Sequence, residues 1–261
     1  MADINTIIDT HTVHHDFLFN DAAADNGFDD RLAVSDFQGK GGSGGLYQQT
    51  GVPTVPSDLA FDSEGTRYNS TTAPYDTGGS TGTVMAIVKI PASHATSLAL
   101  YGRGRASSGN LKNILTISGA GNVRFESRQN GTSSRYVEDA TFDVADGAWH
   151  MIFITQPGDG SGVNFHIDGA EITARTLSIL NGSATVNQWF HTNTPDRSSL
   201  MKSPATSDTG ILDALVSRLT LFETVLSNAQ MTAIYNEWVS SGSVFSNKTI
   251  RRKNRRIYFD I

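Results

Sequence analysis

The sequence predicts an all-β chain of two antiparallel sheets packed face to face, with one short helix over about residues 227–240. Three observations carry this expectation. Trp149, Met151, Phe153 and Thr155 alternate with His150, Ile152 and Ile154, and Val163, Phe165 and Ile167 alternate with Asn164, His166 and Asp168. A period of two sends successive side chains to opposite faces of a sheet. Turn-forming clusters punctuate the chain: PGDGSG links those two runs, and Asp168-Gly169 fits a tight hairpin turn whose central residues take positive φ. Helical spacing stands out in one stretch, where Met231, Ile234, Tyr235 and Trp238 recur at i, i+3, i+4 and i+7.

Residues 1–50 read as an N-terminal arm and loop, irregular around AAADNGFDD and QGKGGSGG, with at most a first edge strand. Leu59 to Phe61 starts a strand that TRYNS continues as a hairpin. Thr83 to Ile90 is apolar on both faces, which marks a central buried strand, and Pro91 ends it. SLALYG, KNILTIS and NVRFESR follow. In the last of these Val123, Phe125 and Ser127 face one way and Arg124, Glu126 and Arg128 the other; SGAGN makes the turn before it. RYVEDATFDV, AEITART, TVNQWFH and Ala214 to Phe222 bring the total to about ten to fourteen strands by the spacing of turn signals. Ser227 is the helix N-cap, Gln230 closes a capping box, and Gly242 is the stop. His150 and His166 are expected on a sheet surface.

The 261 residues suit a single sandwich domain over 51–242, with a basic tail at 243–261. Cysteine is absent, which removes disulfides, thiolate catalysis and cysteine–zinc sites, and favours a bacterial or viral source. A net charge of −6 argues against a general nucleic-acid binder. Apolar runs stay well short of the roughly 18 residues a membrane helix needs. The start, MADINTIIDTHTVHHDF, lacks the basic and apolar regions of a secretory signal, so synthesis without a signal peptide is expected.

Five segments together resemble the laminin-G or pentraxin-like domains of the concanavalin A-like jelly-roll superfamily. LAFDSEGTRYNS resembles that family's opening strand and GTVMAIVKIP its second conserved one. DGAWHMIFIT is similar to DGQWHHVAVT, GVNFHIDGAEI to VRLYVDGVLV, and LTLFETVLSNAQMTAIYNEW to the closing strand and helix. The resemblance spans residues 55–240 and implies a two-sheet jelly roll. It departs at Ser217, where the family often has an acid, and at NQWFHTNTPDRSSLMKSPATSD, which replaces a small glycine-bearing strand. No family site is carried over.

Hydrolases of the same superfamily place acids at alternate strand positions, because retaining hydrolysis needs carboxyls about 5–5.5 Å apart. No such triplet occurs. Glu138 and Asp139 are adjacent and point to opposite faces. No catalytic residue is assigned, and the chain is expected not to be an enzyme. His11, His14, His15 and Asp16 read as solvated or interface residues rather than as a metal site. Gly39 to Gly44 matches G-x-G-x-x-G but precedes Pro53 rather than a helix, so it reads as a loop. Asp25, Asp29, Asp30, Asp159, Asp196 and Asp208 are of the type calcium takes. No cofactor is required, calcium is admitted, and no metal ligand is assigned.

The expected role is a non-enzymatic structural and binding protein of a larger assembly. The concrete expectation is a bacteriophage virion component, either a capsid decoration or a tail adhesion subunit, at the surface of an extracellular particle. The alternative is a carbohydrate-active enzyme or a free lectin. Trp189, Phe190, His191, Asn193, Asp196 and Arg197 form a candidate glycan rim, where aromatic faces and amide or charged groups suit sugars. Arg251, Arg252, Lys253, Arg255 and Arg256, followed by Tyr258 and Phe259, form a candidate docking tail for other assembly proteins. Partners are then virion proteins and surface glycans, in an oligomeric or assembly-bound state, with neither nucleic acid nor a membrane span.

Overall fold

The structure is a computed structural model describing residues 4–18, 27–28, 32, 37–38, 61–62, 69–71, 77–92, 98–105, 108–129, 132–138, 142–158, 162–181, 196–202 and 213–240. Its elements run α1 (Ile4–Ile8), β1 (Val13–Leu18), β2 (Gly27–Phe28), β3 (Phe37–Gln38), β4 (Phe61–Asp62), β5 (Asn69–Thr71), β6 (Gly82–Lys89), β7 (Leu98–Arg105) and β8 (Ser108–Ile117). The chain continues through β9 (Val123–Gln129), β10 (Thr132–Glu138), β11 (Trp149–Gln156), β12 (Asn164–Ile167), β13 (Ala170–Ile172), β14 (Arg175–Asn181), β15 (Arg197–Leu200), β16 (Leu215–Phe222) and α2 (Asn228–Ser240).

Two seven-stranded antiparallel sheets face each other, as the alternation predicts. The first has the order β1-β16-β6-β11-β12-β13, with β4 also on β16; the second has the order β14-β10-β9-β8-β7-β15-β5. Between them lies one apolar core. Val84, Ala86, Val88, Ile152, Ile154, Phe165, Ile167, Leu219 and Leu221 enter it from the first sheet, and Tyr101, Leu115, Ile117, Val123, Phe125 and Leu200 from the second.

β6 is buried on both faces for a reason the fold makes plain. Its even-numbered residues enter the inter-sheet core, while Met85 and Ile87 join Met151, Phe153 and Phe222 on the outer face. That outer face is covered by Met231, Ile234 and Trp238 of α2 and by Ile8 of α1. The helix starts as its sequence dictates. The Ser227 N–H donates to Gln230 Oε1 (2.8 Å), and the Gln230 N–H points back to Ser227 Oγ (3.4 Å). Thr83 ties the preceding loop to β6: its hydroxyl accepts the Leu226 N–H (2.9 Å) and donates to Thr224 O (3.0 Å).

The hairpin turns form as predicted. Asp168 and Gly169 take φ of 51° and 82°, and residues 118–122 close β8 onto β9 through Ser118 N–H to Asn122 O (2.9 Å). Gly169 is also required by space, because a Cβ there would lie 2.6 Å from Tyr235 Cδ1.

Four expectations need correction. Phe61 and TRYNS make no hairpin: β4 pairs with β16 in the first sheet and β5 with β15 in the second, so the chain crosses between sheets there. AEITART is split in the same way, into β13 and β14. The stretch read as an irregular arm with at most a first edge strand supplies the helix α1 as well as β1, which does lie at the edge of the first sheet, with Phe17 fully buried and Asp16–Leu18 paired with β16. The short apolar set of α1 is too brief to show helical period in sequence. His150 and His166 are buried, not surface residues. They lie on opposite faces of the first sheet, with His150 at the edge of the core and His166 beneath α2.

Candidate ligand-binding face

The outer face of the second sheet is chemically unlike that of the first. With Leu115, Ile117, Val123 and Phe125 pointing into the core, Lys112, Ile114 and Thr116 of β8 and Arg124, Glu126 and Arg128 of β9 point outward. Register fixes their neighbours. Arg197 of β15 pairs with Gly104 of β7, Gly104 with Lys112, and Lys112 with Arg128. The next row runs Ser199, Gly102, Ile114, Glu126, and Thr116 pairs with Arg124 beyond it.

Three features follow. Cations stand directly opposite each other at Lys112 and Arg128, an arrangement that costs stability in a sheet. Gly102 and Gly104 of β7 contribute no side chains to these two rows, and interior strand glycines mark places where a ligand or backbone comes close. Glu126 is the one carboxylate among the outward residues of β8 and β9, and Arg128 holds it through an Nε–H bond of 2.6 Å. Lys112 and Glu126 are buried here, while Arg124, Arg128 and Arg197 keep partial exposure.

Of the glycan rim expected from sequence, Trp189, Phe190, His191 and Asn193 lie outside the described residues. Arg197 sits in the cationic row, and Asp196 is exposed at the head of β15, its N–H donating to Gly104 O (3.0 Å). The tail residues Arg251, Arg252, Lys253, Arg255, Arg256, Tyr258 and Phe259 also lie outside the described residues, as do Asp25, Asp29, Asp30, Asp159, Asp208 and Gly39 to Gly44. Among the described residues no group of three or more metal-ligating side chains converges. His14 bonds Glu223 (2.9 Å), His15 stacks on Phe17, and His11 receives a contact from Gln230 Nε2 (3.4 Å), so the N-terminal histidines are separately engaged.

Two polar networks were not foreseen. His150 donates from Nδ1 to Asp168 Oδ2 (2.6 Å) and from Nε2 to Asp146 Oδ1 (3.0 Å). Burial opposes its charge, but the hydrogen bonds and attraction of the two carboxylates outweigh burial and raise its pKa above the usual imidazole value. Asp168 also accepts the Met151 N–H (2.8 Å), so this clamp fixes the hairpin turn to β11. The second network is a buried bidentate pair of Arg218 with Asp16 (2.8 and 2.5 Å), completed by the Thr220 hydroxyl (2.7 Å), which joins β1 to β16. Each network depends on a partner far away in sequence, Asp168 for His150 and Asp16 for Arg218, which local pattern does not reveal.

The geometry therefore defines a lectin-type sandwich with one sealed and one polar outer face. A laminin-G model (Laminin_G_3) of the Concanavalin A-like lectin/glucanases superfamily matches residues 63–232, and the chain belongs to that family. No curated protein matches the sequence. Among solved structures, the chain is similar to Domain 4 of AbnA, a GH43 extracellular arabinanase from Geobacillus stearothermophilus, in complex with arabinotriose. Identity is 14%, TM-score 0.57, and coverage 86% of this chain and 98% of that one. It is also similar to a structure described as NanB plus Optactamide, at 14% identity and TM-score 0.52, covering 75% of this chain and 27% of that one. A third is the Ruminococcus gnavus IT-sialidase CBM40 bound to alpha2,3 sialyllactose, at 18% identity and TM-score 0.48, covering 59% and 82%. At these identities the likeness is one of fold.

Proposed function

We propose that this chain is a non-enzymatic glycan-binding module whose ligand lies on the outer face of the second sheet, against Arg124, Arg128 and Arg197. The observation that carries this reading is the row Arg197–Gly104–Lys112–Arg128, in which cations stand on either side of a glycine of β7. Arg197, Lys112 and Arg128 concentrate positive charge in one row of a chain whose net charge is −6, which suits a ligand rich in oxygen acceptors. The sole acid of β8 and β9 on this face is tied to Arg128, whereas glycoside hydrolysis uses two carboxyls across the bond. A similar fold is described in complex with arabinotriose, which supports a sugar as the ligand class.

The experiment is a glycan array with and without added calcium, followed by titration of the best ligand into Arg128→Ala and Arg197→Ala. Each loses a charged hydrogen-bond donor, worth about 1.5–3 kcal/mol, so affinity falls about tenfold or more. Wild-type affinity in both variants, or an array without a hit, overturns the reading.

The wider role we propose is that of a bacteriophage virion component, a decoration or tail adhesion subunit displayed on the particle. The domain, with α1 and β1 built into it, presents the glycan face, and the tail at 243–261 attaches it. What supports this is the composition of residues 251–259, five cations followed by an apolar segment, which suits docking on an acidic neighbour. Deletion of residues 250–261 is expected to abolish incorporation into the particle; unchanged incorporation refutes the docking role.

A further inference from the structure

The first sheet carries a different device under α2. His166 is 1% exposed, packed edge-on against Phe153 with ring centroids 5.8 Å apart. The Thr232 hydroxyl of α2 donates to Gly169 O (3.1 Å) and so has its lone pairs free for the His166 Nε2–H at 3.2 Å. The proton of the neutral ring thus sits on Nε2. Nδ1 is buried and has no hydrogen-bond partner. A proton added at Nδ1 would create a buried N–H, and a charge, with no acceptor.

We propose that His166 is a proton-operated latch: α2 seats on the first sheet over the neutral imidazole, and protonation at Nδ1 releases α2 while the sandwich stays folded.

The groups facing His166 support this division. From β11 comes Phe153, which offers no acceptor. From α2 come Thr232, already bonded, Asn228, whose Nδ2 donates to Glu171 Oε2 (2.5 Å), and Tyr235, packed on the turn. From the β12–β13 hairpin come Asp168, held by His150 and the Met151 N–H, and Glu171. Burial lowers the His166 pKa, and the attraction of Glu171 and Asp168 offsets only part of that. Once α2 lifts, water and these two carboxylates stabilise the imidazolium, so the released state takes up the proton.

The sign follows. With its folded pKa below the usual value near 6.5, His166 favours the seated state above that value. The contribution is lost as pH falls from there through the lowered pKa. The His150 clamp has the opposite sign, because its pKa is raised. It is fully charged in the same acid range, so the hairpin holds while the helix loosens.

The test uses the full chain and hydrogen-exchange protection, corrected for the intrinsic pH dependence of exchange, at about pH 7.5 and about pH 5. Segment 228–240 is expected to lose about tenfold protection per unit of pH below the onset, while segment 82–89 keeps its own. His166→Phe abolishes the selective loss. Thr232→Val removes the partner of the neutral ring and moves the release to higher pH, which keeps the test decisive if His166→Phe does not fold. His11, which also touches α2 through Gln230, is the internal rival, so His11→Phe is expected to leave the release in place. Equal loss in both segments, persistence in His166→Phe, an unmoved midpoint in Thr232→Val, or abolition by His11→Phe each overturns the latch.

Discussion

The two sheets share one core but treat their outer faces in opposite ways. On the first, Met85, Ile87, Met151, Phe153 and Phe222 are apolar and lie under α1 and α2. On the second, the equivalent positions of β8 and β9 are Lys112, Ile114, Thr116, Arg124, Glu126 and Arg128, all but one of them polar or charged. The contrast separates two duties. The first sheet uses its outer side for stability, since a helix stripe buried on it contributes roughly 1.5–3 kcal/mol per large side chain. The second carries mostly polar and charged side chains on its outer side.

Substitutions can break or sharpen this contrast. The largest effect is expected from Phe153→Ala, which empties the centre of the helix-covered cluster and should cost about 3–5 kcal/mol in denaturant unfolding. Arg197→Ala, a partly exposed position on the other sheet, should cost less than about 1 kcal/mol. Equal losses would erase the distinction. Gly169→Ala combines an unfavourable φ of 82° with a clash on Tyr235, and about 1–3 kcal/mol of destabilisation is expected, with weaker seating of α2. Ser227→Ala removes the helix cap and should lower the stability by about 1 kcal/mol, again through the first sheet only. The smallest effect is a slope with pH. The raised pKa of His150 means that its clamp is complete below the reference value near 6.5 and is lost as pH rises through the raised value. Stability should therefore decline on the alkaline side in the wild type and flatten there in His150→Asn; an identical slope in both would remove the clamp from the account.

Much of the fold was legible because it is written locally. The capping box at Ser227 and Gln230, the i, i+3, i+4, i+7 stripe, the Asp168-Gly169 turn and the doubly apolar run at 83–90 each report their own environment within a few residues. What escaped depends on partners elsewhere in the chain. Nothing in Phe61 and Asn69 says that they belong to different sheets, because strand pairing is set by β16 and β15, over a hundred residues later. The burial of His166 is imposed by Thr232 and the rest of α2, and that of Asp16 by Arg218. The charged outer face of the second sheet is the clearest case. Sequence alternation shows that Arg124 and Arg128 share a side of one strand. Only the register of four strands brings Arg197, Lys112 and Arg128 into one row across a glycine. The aromatic pair at 189–190 was conspicuous in sequence by residue type, whereas the row is conspicuous only by juxtaposition.

The most direct test of the central claim is to map amide chemical-shift changes across the protein as a glycan from the array is titrated in. Perturbations clustered on Gly102, Gly104, Lys112–Thr116, Arg124–Arg128 and Arg197, with α2 and β11 silent, are the predicted result. Perturbations centred on the helix-covered sheet, or on neither face, would contradict it.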